Sequence, residues 1–130
     1  MQYTVYSYKN LIVSTAGFMD FHNWRTQFRK GLLEFVVLAL LEHGQQHGYQ
    51  MVQTLKKIQS LEIREGNVYP ILARLQTDGL IRSKQEFSEN GPPRKYFRLT
   101  QKGKTTLAEM GRHWELITQG VHTIRKGAYV

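Results

Sequence analysis

The sequence contains no cysteine, which excludes disulfides and thiolate zinc sites and is compatible with a reducing cytoplasm. Its longest apolar run, Phe35 to Leu41, falls far short of a membrane-spanning helix, so no membrane partner is expected. The first residues lack the basic start and long apolar stretch of a secretory signal. No nucleophile–base arrangement or phosphate loop is visible, so no enzyme activity is expected. Of the five histidines only His43 and His47 stand four apart, with the helix-breaking Gly44 between them. No metal site and no cofactor is expected. Acidic residues are also scarce, ten against 18 Lys and Arg, a formal charge of +8.

That excess points to a polyanionic partner, nucleic acid or an anionic surface. It is localised: Arg82, Lys84, Arg94, Lys95, Arg98, Lys102 and Lys104 face only Glu86 and Glu89, so this segment carries +5. A chain of 130 residues is one domain's worth.

Residues 1–18 differ in texture, with one charge and several aromatic and β-branched residues, and Met19 offers a second plausible start. They are expected to be a non-native or disordered extension. From Phe21 the apolar residues step by three or four through Trp24, Phe28, Leu32 and Phe35, with a stop at Gly44. After the Gln45-Gln46 link, Met51, Val52, Leu55 and Ile58 form a single stripe. Val68, Ile71, Leu72 and Leu75 then follow the i, i+3, i+4, i+7 rule, and Gly79 ends that helix. If it begins between Glu65 and Asn67, Pro70 lies in or just beyond its first turn, where a missing N–H is tolerated.

Two extended arms flank Asn90-Gly91-Pro92-Pro93, a strong turn signal, and read as a hairpin with a basic surface. Ile81, Phe97 and Leu99 are expected inward; Arg82, Lys84 and Arg98 are expected outward. From Gln101 to Arg125, Leu107, Met110, Trp114, Ile117, Val121 and Ile124 repeat at steps of three and four. That heptad seam predicts a helix packed on a partner chain.

The expected fold is mainly α with a small β-hairpin: a winged helix-turn-helix over residues 19–100, then a long C-terminal dimerisation helix and tail over 101–130. At 100° per residue, Gly66, Pro70, Ala73, Arg74 and Thr77 fall opposite the apolar stripe, with Asn67 and Tyr69 at its borders. Small residues, hydrogen-bonding groups and a cation on one helix suit a DNA major groove. Arg74 reads a guanine edge or holds a phosphate. Lys84, Arg94, Lys95 and Arg98 meet the backbone or minor groove from the wing. Tyr49 is read either as a packing aromatic or as a phosphate contact.

Several motifs in this order resemble the PadR family of bacterial winged-helix regulators: Gly31-Leu32-Leu33, His47-Gly48-Tyr49, Gly66 to Pro70, Gly79-Leu80-Ile81, and Arg94-Lys95-Tyr96 through Leu99-Thr100. The match covers about residues 30 to 125. The resemblance implies a homodimer formed through the terminal helix and a double-stranded DNA partner. It also implies transcriptional control, commonly repression relieved by a small aromatic or drug-like effector. Trp114 matches a tryptophan that lines an interface cavity in some short members. Trp24, Phe28 and Phe35 complete such a cavity or bury the dimer interface. Arg64 departs from the family's usual helix cap, and Asn67 from its usual threonine or serine. Two copies related by a two-fold axis predict a palindromic operator. The alternative is a winged-helix protein-interaction module without DNA binding.

Overall fold

The computed structural model describes residues 20–129, so the expectations for residues 1–18 lie outside the described residues. The chain divides into two compact units, Met1–Leu32 and Leu33–Val130, and the division falls within the first helix. That helix, α1, spans Phe21–Leu40. Asp20 caps it, its carboxylate accepting from the Asn23 N–H at 2.8 Å. A single 3-10 turn, Leu41–His43, follows, and Gly44 closes it at φ 126°, where a side chain would be strained.

The second unit has the expected winged-helix character, with one addition. Gln46, read from the sequence as the end of a link, forms with His47 a short strand, β1. It pairs antiparallel with β3, Gly91–Leu99, which also pairs with β2, Ile81–Ser88. The hairpin is therefore a three-stranded sheet in the order β1-β3-β2. A two-residue strand has no detectable alternation of its own; only its partner reveals it. Gly91 opens β3, the prolines at 92 and 93 follow it within the strand, and the reversal itself is made by Glu89 and Asn90.

Between β1 and β2 lie α2, Gly48–Lys56, and α3, Glu65–Thr77. The core joins one stripe from each element: Val37, Leu38 and Leu41 meet Met51, Val52 and Leu55 and Val68, Leu72 and Leu75, closed by Leu80, Ile81 and Phe97. These are the spacings at which a helix keeps one side inward. Ile58 lies beyond the end of α2 and is 49% exposed, so the expected stripe stops at Leu55. Pro70 is the sixth residue of α3, past the first turn, and the helix continues through it to Thr77.

Helix α4, Gln101–Lys126, starts in a tightly joined corner. The Thr100 hydroxyl donates to the Gly79 carbonyl at 2.7 Å and accepts from the Gly103 N–H at 3.0 Å. Leu80 N–H returns to the Leu75 carbonyl at 2.9 Å, ending α3 with Gly79 at φ 77°. Leu107, expected at a partner interface, is instead buried in its own chain's core, and Met110 packs against that core. The reason is geometric: the corner at Gly103 presses the first turns of α4 onto the sheet, leaving free apolar surface there to cover. From Ile117 onward the seam is bare.

Candidate nucleic-acid interface

Helix α3 keeps Gly66, Asn67, Tyr69, Pro70, Ala73, Arg74 and Thr77 exposed while its stripe is buried. The helix starts without a side-chain cap, as the arginine at position 64 implied. Its outer side is not uniform. Tyr69, Ala73 and Gln76 line a groove of about 600 Å³ that is closed on the other side by His47, Tyr49, Arg94 and Lys95. The groove runs between the start of α2, the flank of α3 and the wing. Gln76 Nε2 donates to Ser83 Oγ at 3.1 Å, fastening α3 to β2.

The other flank is occupied. Arg74 does not stand free: its guanidinium is paired with the Glu34 carboxylate of α1. Residue 74 sits a quarter turn from the middle of the outer face, where it reaches α1. Both partners are partly exposed, and surface pairs of this kind contribute only about 0–1 kcal/mol. The Thr77 hydroxyl donates to the Ala73 carbonyl at 3.1 Å, the usual bond of a helical threonine.

On the wing, Lys84, Arg94, Lys95 and Arg98 are all exposed, as expected, and Ile81 and Phe97 are buried. Register sorts them by face. Arg82 stands across from Arg98, Lys84 from Tyr96 and Glu86 from Arg94 on one side; Gln85 stands across from Lys95 on the other. Two guanidiniums directly opposite repel, which disfavours the strand pair unless an anion neutralises them. Phe87, which the sequence reading passed over, is 92% exposed near the tip.

His47 was also missed as a site residue. It is the N-cap of α2: the Gln50 N–H faces Nδ1 at 3.2 Å, and the His47 backbone N–H donates to Gln50 Oε1 at 3.2 Å. Nε2 lies 2.9 Å from an Arg94 amino nitrogen, and Tyr96 meets the ring edge-on at 5.3 Å. Burial first, and Arg94 second, hold its pKa below the usual imidazole value. Only half of a capping-box signal was present: Gln50 stands three positions on, but histidine is not a residue type that marks a helix N-cap.

Of the four residues assigned to an effector cavity, Phe35 and Trp114 meet, with ring centroids 6.2 Å apart. Trp24 and Phe28 stack on each other at 5.3 Å in the first unit. Among the described residues no cluster of three or more His, Cys, Asp or Glu could hold a metal, and no helix is long and apolar enough to cross a membrane.

Comparison with known proteins matches residues 37–109 to the transcriptional regulator PadR-like family. A crystal structure of a PadR-like transcriptional regulator from Bacillus cereus is 33% identical, with TM-score 0.69, covering 75% of this chain and 95% of that one. A Streptococcus transcriptional regulator is 34% identical with TM-score 0.69, over 76% of this chain and 97% of its own. A transcriptional regulator of Mycobacterium tuberculosis is 28% identical over 95 residues, 73% of this chain and 87% of that protein.

Proposed function

The chain belongs to the PadR-like family of transcriptional regulators, a family of DNA-binding regulators rather than enzymes, and we propose that it works as a cytoplasmic homodimeric repressor relieved by a small aromatic effector. The observation that carries this reading is the pairing of two surfaces on one chain. One is the exposed side of α3 beside a basic wing. The other is an α4 seam whose Ile117, Val121 and Ile124 are 49%, 51% and 63% exposed. Three apolar side chains repeating at heptad spacing on an exposed helix favour association with a like helix. Membership in a regulator family favours this over a protein-interaction module.

Two α3 helices related by a two-fold axis would address a palindromic operator, with half-sites about 10 bp apart or a multiple of that. Tyr69, with Gly66, Asn67 and Pro70 near the helix start, would approach base edges. Lys84, Arg94, Lys95 and Arg98 would hold phosphates, and Tyr49 stands beside them at the groove. The Phe35–Trp114 pair supports an aromatic site near the start of the seam. An effector there would act by preferring one spacing of the two α3 helices.

Sequencing the genomic fragments retained by the purified protein tests this directly. A palindrome is expected, with retention lost when a planar aromatic effector is added. Binding should also weaken steeply with salt as phosphate contacts release counterions. A protein that stays monomeric and retains no fragment would end the proposal.

A further inference from the structure

His47 is asked for more than an imidazole can give. The Gln50 N–H can only donate, so the cap requires a lone pair on Nδ1. A guanidinium can only donate, so the Arg94 contact requires a lone pair on Nε2. A neutral imidazole has one lone-pair nitrogen and one N–H, and an imidazolium has none. At any moment, then, only one of the two contacts is a hydrogen bond, and the other sets donor against donor. Charge-assisted hydrogen bonds are shorter and about twice as strong as neutral ones. The Arg94 contact, 2.9 Å against 3.2 Å for the cap, is that stronger claim on the ring.

Arg94 is turned to the His47 ring and not to the carboxylate across from it. Glu86, across from it on β2, accepts from Gln45 Nε2 at 3.3 Å and makes no ion pair with Arg94. The remaining charged or titratable groups around the ring are Lys95 and Tyr96 of β3, Lys84 of β2 opposite Tyr96, Tyr49 of α2 and Tyr69 of α3. None is a carboxylate. Glu86 is the one carboxylate nearby, and while it is turned to Gln45 an anion from outside can outbid the imidazole for Arg94.

We infer that His47 is a positioning residue for Arg94: it holds the guanidinium across the groove in the free protein and surrenders it to a DNA backbone phosphate. When the phosphate takes Arg94, the lone pair passes to Nδ1 and closes the cap on α2. The exchange needs no net proton, since one leaves Nδ1 to water and one reaches Nε2 from water. Phosphate capture by the wing and the capping of α2 would then support each other, joining two elements that flank the groove. This inference rests on the DNA-binding reading above.

The test is nuclear magnetic resonance of the full chain carrying isotope-labelled histidine, alone and with an arbitrary duplex of about 20 bp, two helical turns, at low salt. The His47 ring should carry its proton on Nδ1 when free and on Nε2 when the duplex is bound. With Arg94→Ala the ring should already be the Nε2–H form, unmoved by duplex, and the salt slope of binding should fall by about 1. His47→Asn keeps a good cap and should fold, which separates loss of the switch from loss of structure. If the duplex binds while the wild-type ring keeps one tautomer, or becomes imidazolium, the inference is overturned and DNA binding stands. If no duplex binds even at low salt, both are overturned.

Discussion

The ring of Tyr69 lies over the α-carbon of Gly48: a β-carbon placed there would stand 2.7 Å from Tyr69 Cε1. That distance is closer than side chains approach one another, so the glycine at the start of α2 and the tyrosine on α3 are a matched pair. The small residue leaves room for the ring against the start of α2.

Gly48→Ala should therefore swing Tyr69 while leaving the core untouched. The ring is the far end of a half-exposed side chain and can move. Although Gly48 is buried, only the Tyr69 side chain must give way, so stability should change by less than about 1 kcal/mol. Affinity for operator DNA should fall, and a second change, Tyr69→Ala, should add little to that loss because both act on one contact. Thermal melting and a binding titration on the two single variants and the double variant check this. Full additivity would contradict it.

Gly103→Ala is expected to behave differently. The added β-carbon would meet the Leu80 carbonyl oxygen at 2.0 Å, and that is backbone held by the corner between α3 and α4. Nothing nearby can swing aside, so α4 must shift. The expected loss is about 1–3 kcal/mol or more, the range for forced overpacking. Chemical denaturation of this variant beside Gly48→Ala would rank the two.

Glu34→Gln should strengthen DNA binding. Arg74 is tied to the Glu34 carboxylate through one guanidinium nitrogen, and on the proposed DNA contact a phosphate would compete with that carboxylate for it. Removing the negative charge releases Arg74 at a stability cost of at most about 1 kcal/mol. Arg74→Ala should weaken binding instead. If it relaxes base preference, Arg74 reads a base; if it weakens all sequences alike, it holds a phosphate. Titration of both variants against operator and scrambled duplexes decides.

The His47 ring makes stability depend on pH with a definite sign. Its folded pKa lies below the ordinary 6.5, so in acid the unfolded chain takes up the proton first. The contribution is intact above pH 6.5 and is lost as pH falls below that value toward the folded pKa. Melting temperature measured across this window should decline more gently in His47→Asn than in the wild type. Equal pH slopes in the two proteins would contradict the assignment.

Much of this protein is legible in its residue order because helices announce themselves locally. The stripe Val68, Leu72 and Leu75 states both that a helix forms and which side turns inward. In the hairpin, Ile81, Phe97 and Leu99 are the apolar positions that mark its inner side. The outer side of α3 and the existence of an apolar seam on α4 follow from those periods alone. Strand β1 does not, because two residues carry no period. Neither does the fate of Leu107, whose place in a heptad is equally compatible with its own core or a partner's.

What only the folded chain decided is which distant side chains meet. Glu34 reaches Arg74 and His47 reaches Arg94 across separations of 40 and 47 residues. Spacing along a chain encodes direction around one element's axis. It says nothing of how far a neighbouring element stands or which of its flanks it offers. That depends on the packed core beneath, and so the groove, its claimed lone pair and its occupied arginine belong to tertiary structure.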